Sequence, residues 1–287
     1  MEINSSNYTI YIGDDKLSSV QYQNYYQIAI LVDENTKEHC LPKLLASNTS
    51  LKKAKIISIS SGEINKDLSS CQIVWNELSQ SHFDRNSLLI CLGGGVVCDL
   101  GGFCASCFKR GIDFIHIPTT LLSMVDASVG GKTGVDFLTL KNQIGLFSNP
   151  QQVIICPTFL ETLSKRQINS GFAEIVKHAL ISDKQYWELL LETDFSQTDW
   201  KEIINKSVLI KNKIVKEDPL EKSIRKQLNF GHTIGHAIES HYLETGKEVL
   251  HGEAIALGMI VESKMSGISQ DDCNQIEQFL SKNIVLP

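Results

Sequence analysis

The sequence predicts an α/β domain over residues 1–160 and an all-α domain over residues 161–287. Six short runs rich in β-branched and aromatic residues recur through the first half, with helix-like segments such as "DLSSCQIVWNELSQSHF" between several of them. This alternation is typical of a largely parallel, helix-covered sheet. After residue 160 the segments "LSKRQINSGFAEIVKHALIS", "TDWKEIINKSVLIKNKIVKED", "HGEAIALGMIVESKMSG" and "DDCNQIEQFLSKNI" carry helical periodicity instead. The strand candidates are "YTIYIG", "QIAILVDE", "AKIISISSG", "SLLICLGGG", "DFIHIPTT" and "QVIICPTF".

Composition and charge limit the classes of function. The 287 residues are 42% hydrophobic and carry a formal net charge of -6, which allows a substantial core and does not favour binding to nucleic acid or anionic membranes. No apolar run is long enough to span a bilayer, and the N-terminus lacks the features of a signal peptide. The eight cysteines are scattered, and Cys104 and Cys107 are expected to pack in a helix. We therefore expect a cytoplasmic protein.

A glycine-rich turn follows one buried strand in "LLICLGGGVVCDLGGF". Glycines at the start of a helix let backbone amides approach a diphosphate, and the helix N-terminus adds partial positive charge. The alternative is an ordinary strand-to-helix turn, because the run does not match G-x-G-x-x-G. Asp33, Asn35, Glu63 and Lys66 follow two other strands, at the edge where open α/β sheets bind ligands.

A second unusual stretch, which we expect to form a loop, is "TTLLSMVDASVGGKTGVDFLTLKNQIG". Asp126, Lys132, Lys141 and Asn142 are spaced among small and apolar residues. Two lysines in such surroundings favour an anionic group held in a cleft, and the alternative is a pair of solvated surface lysines.

The helical half contains the strongest candidate for a metal site. His232 and His236 are four residues apart in "NFGHTIGHAIES", so they share a helical face. His251 begins another helical run, and Glu174 lies in a third. Histidines and a carboxylate from separate helices are a plausible zinc site with an open position. Spacing alone leaves open whether both His232 and His236 bind metal or whether one of them transfers protons.

Taken in order, these motifs resemble the 3-dehydroquinate synthase family over roughly residues 25–265. The segments that carry the resemblance are "GGGVVCDLGGF", "IPTTLLSMVDASVGGKTGVD", "KNQIGLF", "SGFAEIVKHALI", "RKQLNFGHTIGHAIE" and "LHGEAIALGM". The resemblance implies a Rossmann-like NAD-binding domain, then an all-α domain that binds metal and substrate. It also implies a homodimer, with one zinc or cobalt ion per subunit.

The resemblance also assigns residues to roles. Glu174, His232 and His251 match the metal ligands, and His236 matches the histidine that hydrogen-bonds substrate and assists proton transfer. The other catalytic positions are Lys132, Lys177 and Asn142. Further substrate contacts fall on Asp126, Lys211, Arg225, Asn229 and, toward the phosphate of a neighbouring subunit, Arg110. Within these sets Lys132, Asn142 and Arg225 suit the phosphate, and Lys177 and Lys211 suit the carboxylate and hydroxyl end. The NAD contacts fall on Asp33, Asn35, Glu63, Lys66, Gly94, Gly95, Val96, Val97, Asp99, Thr119, Thr120, Lys132, Lys141, Phe159 and Thr162.

The reaction implied by the resemblance converts 3-deoxy-D-arabino-heptulosonate 7-phosphate into 3-dehydroquinate and phosphate, a step of the shikimate pathway to aromatic amino acids. Transient oxidation by NAD acidifies a C–H bond, phosphate leaves, the ketone is reduced again, and an intramolecular aldol step closes the carbocycle. NAD is therefore not consumed.

Three alternatives stay open at this point. Another sugar phosphate cyclase would act on a different phosphorylated keto sugar, a metal-dependent polyol dehydrogenase would consume NAD, and a non-catalytic relative would only bind ligands or dimerise. The chain ends at "QFLSKNIVLP", before the usual end of the family, so we expect a C-terminally short helical domain without the lysine that the family's last segment brings toward the phosphate.

Overall fold

The computed structural model describes residues 1–20, 22–138, 140–193, 195 and 198–287. The chain divides into two compact units, Met1–Thr162 and Leu163–Pro287. Within the described ranges, no helix has the length and apolar character that crossing a membrane requires. The predicted fold class is confirmed, because the first unit is built on a parallel sheet and the second is helical.

The first unit is organised by a seven-stranded sheet with the order β1-β2-β9-β6-β5-β3-β4 among its described residues. The strands from β2 onward in this order are parallel to their neighbours, and β1 is antiparallel to β2. Every residue of β5 is buried, as expected for a central strand covered on both faces. The strands are β1 (Glu2–Asn4), β2 (Thr9–Ile12), β3 (Ile28–Asp33), β4 (Lys55–Ile59), β5 (Leu88–Gly93), β6 (Asp113–Pro118) and β9 (Gln152–Ile155).

The α-helices in the described part of this unit are α1 (Glu34–His39), α2 (Leu41–Ser47), α3 (Leu68–Gln80) and α4 (Gly95–Cys107). Helix α3 begins where the Asp67 carboxylate accepts the Ser70 N–H at 2.8 Å, a standard N-cap. Cys104 of α4 is buried in the core, and Cys107 is exposed at the end of the same helix. All eight cysteines are free thiols.

A two-stranded antiparallel hairpin, β7 (Lys132–Phe137) and β8 (Leu140–Phe147), lies apart from the main sheet. Sequence reasoning treated this segment as a loop, and that interpretation was wrong. Gly134 pairs with Gly145 across the hairpin, and a Cβ on Gly134 would lie 2.7 Å from the Ile144 carbonyl oxygen. Glycine is depleted in strands and interrupts the alternation of apolar and polar residues that predicts a strand. In this hairpin it permits the two backbones to approach closely.

The second unit consists of α5 (Lys165–Ser182), α6 (Lys184–Glu192), α7 (Trp200–Glu217), α8 (His232–Glu244), α9 (His251–Met265) and α10 (Gln270–Asn283). Ser164, Asp183 and Ser269 accept backbone N–H groups at the starts of α5, α6 and α10. Phe172, Trp187 and Phe279 stack in its core, with the Trp187 and Phe279 ring centroids 5.0 Å apart. Helices α8 and α9 are close neighbours, and this pair carries the candidate site.

Candidate metal centre and its surroundings

Glu174, His232 and His251 come together from three helices of the second unit. His232 is the first residue of α8, His251 is the first residue of α9, and Glu174 lies in the middle of α5. Glu174 Oε1 is 3.7 Å from His232 Nε2 and 3.5 Å from His251 Nε2. One ligand atom of each residue lies within 4.8 Å of the other two. Two imidazoles and a carboxylate are a donor set that zinc and cobalt accept, and they leave a coordination position for another ligand.

Glycines let these helices approach closely enough to form the cluster. A Cβ on Gly252 would lie 1.8 Å from the carbonyl oxygen of Ser170, where α9 starts against α5. A Cβ on Gly258 would lie 2.0 Å from the carbonyl oxygen of Gly231, where α9 packs against the start of α8. No side chain fits at either contact, so the positions of His232 and His251 depend on bare backbone.

The starts of α8 and α9 are each fixed by a carboxylate. Helix α8 follows Gly231 in the left-handed backbone region, and its own N-cap supplies no side-chain hydrogen bond. Glu262, near the end of α9, accepts the N–H of Gly231 at 2.7 Å and that of Ile234 at 3.3 Å. At the start of α9, Glu253 accepts the Leu250 N–H at 2.9 Å. A negative charge at a helix N-terminus satisfies free N–H groups and complements the helix dipole.

Replacement of Glu262 by alanine is expected to lower the free energy of unfolding by about 1 kcal/mol, because the N–H groups at the start of α8 lose their acceptor. Urea denaturation followed by circular dichroism measures this change. Glu244→Ala is the matched control, since Glu244 is exposed at the other end of the same helix. Equal stability of the two variants would contradict a capping role for Glu262.

Glu253 and Glu174 are each paired with a cation. Arg166 Nε and Nη2 donate to the two oxygens of Glu253 at 2.6 and 2.8 Å, a bidentate pair that supports the start of α9. Lys177 is buried one helical turn after Glu174, and its Nζ contacts Glu174 Oε2. A buried carboxylate is costly unless it is paired, and Lys177 supplies a positive charge beside Glu174.

The electrostatics of His251 also fit a cation site. Burial by itself would lower the pKa of His251, but hydrogen bonds and charge from Glu174 and Glu239 outweigh it and raise the pKa to about 9. In the absence of a metal ion, the imidazole is therefore protonated at neutral pH. A divalent cation that binds here displaces this proton, as is usual for histidine ligands.

His236 lies one turn after His232 on α8 and has a different environment. Its ring centroid is 5.2 Å from that of His232 and 6.2 Å from that of His251. His236 Nε2 is 4.0 Å from Glu239 Oε2, and the His236 side chain is 49% exposed. His236, Glu239 and His251 form a second group of possible ligands that shares His251 with the first.

Arg225 is presented by a tight turn that precedes α8. The Asp218 carboxylate accepts the N–H groups of Lys222, Ser223 and Arg225 at 2.9, 2.6 and 3.1 Å. Burial would raise the pKa of Asp218, but these backbone hydrogen bonds outweigh it and lower the pKa to about 2. Arg225 itself is buried, and its Nη1 donates to the Pro219 carbonyl oxygen at 2.7 Å. Asp218 therefore sets the conformation of the turn that holds this guanidinium.

The other predicted substrate residues of the second unit are Lys211 and Asn229. Lys211 is buried on α7, the helix that packs against α5. Asn229 is exposed just before α8, and its Nδ2 donates to Glu221 Oε1 at 2.7 Å.

The predicted cofactor residues of the first unit follow the carboxyl ends of parallel strands. Because parallel strands end at a common edge, these side chains share the edge at which open α/β sheets bind ligands. Asp33 is the last residue of β3 and caps α1 by accepting the Thr36 N–H at 2.7 Å. Asn35 is exposed in the first turn of α1. The remaining sets are Glu63 and Lys66 after β4, Gly94, Gly95, Val96, Val97 and Asp99 after β5, Thr119 and Thr120 after β6, and Phe159 and Thr162 after β9.

The glycine turn after β5 leaves a helix N-terminus without a side-chain cap. Helix α4 starts at Gly95 directly after the strand, and Gly94 is its N-cap without a side-chain hydrogen bond. A Cβ on Gly94 would lie 3.1 Å from Thr120 Cγ2, so a larger residue would crowd this turn. Free N–H groups at a helix N-terminus are a common binding position for phosphate groups in proteins.

The hairpin residues are linked to this edge through Lys66. Lys66 is buried, and its Nζ is 2.6 Å from both Asp99 Oδ2 and Asn142 Oδ1. Lys141 Nζ is 3.3 Å from Glu63 Oε1. Asn142 has a φ of 50°, and its N–H donates to Asp136 Oδ1 at 2.7 Å. The structure thus brings Asn142 and Lys141 of the hairpin beside Glu63, Lys66 and Asp99.

Three further predicted residues of the first unit lie on other segments of the chain. Lys132 is exposed at the start of β7, and Asp126 lies in a single turn of π-helix, Ser123–Ala127, after β6. Arg110 is exposed after α4, with a φ of 69°.

Comparison with known proteins identifies the family. The family description 3-dehydroquinate synthase N-terminal matches residues 56–170, and 3-dehydroquinate synthase C-terminal matches residues 171–286. The chain belongs to the 3-dehydroquinate synthase family. A 3-dehydroquinate synthase of Parabacteroides distasonis is 42% identical over 275 residues, which are 93% of this chain and 77% of that protein.

Two further relatives support membership of the 3-dehydroquinate synthase family. A 3-dehydroquinate synthase of a Sulfurovum species is 42% identical over 284 residues, which are 97% of this chain and 79% of that protein. The crystal structure of 2-deoxy-scyllo-inosose synthase complexed with carbaglucose-6-phosphate, NAD+ and Co2+ has a TM-score of 0.86 and 26% identity, and it covers 99% of this chain and 82% of that one.

Sequence reasoning overlooked three carboxylates of this member of the 3-dehydroquinate synthase family. Glu239 is three residues after His236 and seven after His232, a spacing that places all three on one helical face and was visible in the sequence. Asp218 and Glu262 act on backbone N–H groups of other segments. No sequence spacing reveals such contacts, because they depend on how the helices pack.

Proposed function

We propose that the chain converts 3-deoxy-D-arabino-heptulosonate 7-phosphate into 3-dehydroquinate and phosphate, with one divalent metal ion and one catalytic NAD. The observation that carries the proposal is the cluster of Glu174, His232 and His251 with His236 on the next helical turn, in a chain that matches the family over most of its length. The shikimate pathway and the synthesis of aromatic amino acids follow from this activity.

The donor set determines what a metal can do here. A zinc or cobalt ion held by Glu174, His232 and His251 would lower the pKa of a bound substrate hydroxyl. The bound ion in the 2-deoxy-scyllo-inosose synthase structure is Co2+, which the same donor types accept. Glu174 is fully buried, so a cation bound at the cluster would lie beside a carboxylate that is shielded from solvent.

NAD, when bound, accepts a hydride from the substrate and later returns it. The glycine turn at Gly94 and Gly95 would hold its diphosphate, and the polar residues at the strand ends would hold the rest of the dinucleotide. Lys66 places a buried positive charge at this edge, with Asp99 and Asn142 as its partners. The related 2-deoxy-scyllo-inosose synthase structure contains NAD+, which supports this assignment.

His236 is suited to hydrogen-bond the substrate and to move a proton. It is half-exposed beside the cluster, unlike the more buried His232 and His251. A histidine in this position can exchange protons with a substrate at neutral pH.

The cations are expected to orient the two anionic ends of the substrate. Arg225, Lys132 and Asn142 would hold the phosphate, and Lys177 and Lys211 would hold the carboxylate and hydroxyl end. Arg225, Lys177 and Lys211 are buried, so their donors are fixed before the substrate arrives. Fixed donors lower the entropy that orientation costs and stabilise charge as the phosphate leaves. Asp126 and Asn229 would contribute further polar contacts.

We also propose that the protein acts in the cytoplasm as a homodimer without nucleic-acid or membrane partners. The eight free cysteines support a reducing compartment. Arg110 is exposed and would reach the phosphate bound by the neighbouring subunit.

The test measures phosphate release and 3-dehydroquinate formation in one sample that contains zinc and substoichiometric NAD. We expect many turnovers per NAD, and we expect a chelator to abolish them. NADH that accumulates in proportion to product would indicate a polyol dehydrogenase instead. Turnover with a phosphorylated sugar that lacks the carboxylate, and none with the heptulosonate, would indicate a different sugar phosphate cyclase.

A further inference from the structure

A buried carboxylate on α8, Glu239, contacts the metal cluster without belonging to its predicted ligands. Glu239 is only 5% exposed, and its Oε1 is 3.3 Å from His251 Nδ1. Its other oxygen, Oε2, is 4.0 Å from His236 Nε2. A buried glutamate between two histidines needs a physical explanation, since burial of a carboxylate is costly unless it is hydrogen-bonded or paired.

The two nitrogens of His251 point to different carboxylates. Nε2 is 3.5 Å from Glu174 Oε1, and Nδ1 is 3.3 Å from Glu239 Oε1. An imidazole that binds a metal through Nε2 carries its proton on Nδ1 and donates it there. Glu239 is in the position to accept that proton, while Glu174 is on the side where the cation would bind.

We propose that Glu239 is a positioning residue that accepts the Nδ1 proton of His251 and thereby directs Nε2 toward the metal. This inference rests on the metal site of the proposed function. The second possible ligand group, His236 with Glu239 and His251, shares His251 with the first. Glu239 faces His251 Nδ1, and Glu174 faces His251 Nε2. A single ion bound at Nε2 would therefore have Glu174 as a ligand, while Glu239 accepts the hydrogen bond from Nδ1.

The helices that carry Glu239 and His251 pack closely against each other. Glu239 follows Gly235 by one turn on α8, and a Cβ on Gly235 would lie 2.6 Å from Ile255 Cδ1 of α9. The two helices are therefore in direct contact at this level. A carboxylate on one helix can thus orient the ring of a histidine at the start of the other.

Glu239 also connects the metal ligand to the proposed proton-transfer residue. Its two oxygens face His251 and His236 separately, so one side chain sets the local charge for both imidazoles. Such outer carboxylates orient the ligand ring and make its metal-binding nitrogen more basic.

The experiment measures zinc affinity by chelator competition, without substrate or NAD, for the full chain and its Glu239→Ala and Glu239→Gln variants. We expect about 10–100-fold weaker binding for Glu239→Ala, with an unchanged stoichiometry. Glu239→Gln keeps an acceptor oxygen and loses the charge, so its zinc affinity should lie between that of the parent chain and that of Glu239→Ala. Glu244→Gln, exposed on the same helix, should bind zinc as the parent does.

A cobalt spectrum and a melting curve of the metal-free proteins complete the test. The visible absorption of bound Co2+ should keep its intensity in the Glu239 variants, because the ligands themselves are unchanged. Lower stoichiometry or a spectrum of altered coordination number would overturn the proposal and make Glu239 a ligand. Unchanged zinc affinity in both Glu239 variants would also overturn it. If Glu239→Ala does not fold, the result for Glu239→Gln decides.

Failure of this inference differs from failure of the proposed function. Normal zinc binding by the parent, weakened binding by the Glu239 variants and no turnover of the heptulosonate would sustain the positioning role and reject the activity. A parent chain that binds no zinc would overturn both the metal centre and the role of Glu239.

Discussion

Replacement of His236 by alanine is expected to lower kcat by about 10²–10⁴-fold while zinc stays bound. The reason is that His236 is half-exposed beside the cluster. The ligand atoms of Glu174, His232 and His251 lie close together without it. Loss of His236 removes a proton carrier and leaves the proposed ligand set complete. Phosphate release, measured together with zinc content, separates the two effects.

His241→Ala is the matched control for this variant. His241 is exposed near the end of the same helix, outside both possible ligand groups, so its removal should change neither kcat nor zinc content. Loss of zinc from His236→Ala in parallel with activity would assign His236 to the ligands and contradict the proposed division of roles. Full activity would exclude His236 from proton transfer.

Replacement of Gly252 by alanine is expected to destabilise the helical unit and to weaken zinc binding together. The new Cβ would lie 1.8 Å from the Ser170 carbonyl oxygen, so α9 must move away from α5. Overpacking of this kind typically lowers the free energy of unfolding by about 1–3 kcal/mol. The clash is with backbone, so it cannot be relieved by a change of side-chain rotamer. His251 begins the displaced helix, and for this reason the cluster with Glu174 should open.

Urea denaturation and chelator competition measure the two consequences of Gly252→Ala. Gly246→Ala is the control, because among the described residues no heavy atom, apart from those of Gly246 and its two chain neighbours, lies within 4 Å of the position of its Cβ. Gly246 has a φ of 67°, so that variant should lose about 1 kcal/mol through backbone strain and keep its zinc affinity. A Gly252→Ala protein with parental stability and zinc affinity would show that α5 and α9 can separate without consequence.

The parallel strands and the fold class could be predicted because buried parallel strands consist of continuous apolar, β-branched residues, whereas the short antiparallel β1 was not predicted. "LLICLG" became the fully buried β5, since only continuous apolar residues suit a strand that is covered on both faces. The hairpin of β7 and β8 escaped prediction for the opposite reason. Gly134 and Gly145 allow close contact between the two backbones. As glycines they have no side chain, so they do not contribute to the alternation of apolar and polar residues by which strands are predicted.

The ligand cluster shows a similar division. Spacing predicted that His232 and His236 share a helical face, but it left their roles open, and only the resemblance assigned them. The structure places Glu174 near His232 Nε2 and Glu239 near His236 Nε2, a difference that arises from contacts among three helices. Asp218 remained invisible for the same reason, because its role is to accept N–H groups of a turn that no periodic pattern describes.

Helix α8 sets the spacing of three residues in and around the proposed metal centre. His232, His236 and Glu239 follow one another along this helix, with His236 about 6 Å beyond His232 and Glu239 about 4.5 Å beyond His236. A shift of this helix along its axis therefore moves a proposed ligand, a proposed proton carrier and a proposed orienting carboxylate by the same distance. Random substitutions along the contact of α8 with α9 should change metal affinity and turnover in a correlated way, so that selection acts on the two properties as one trait.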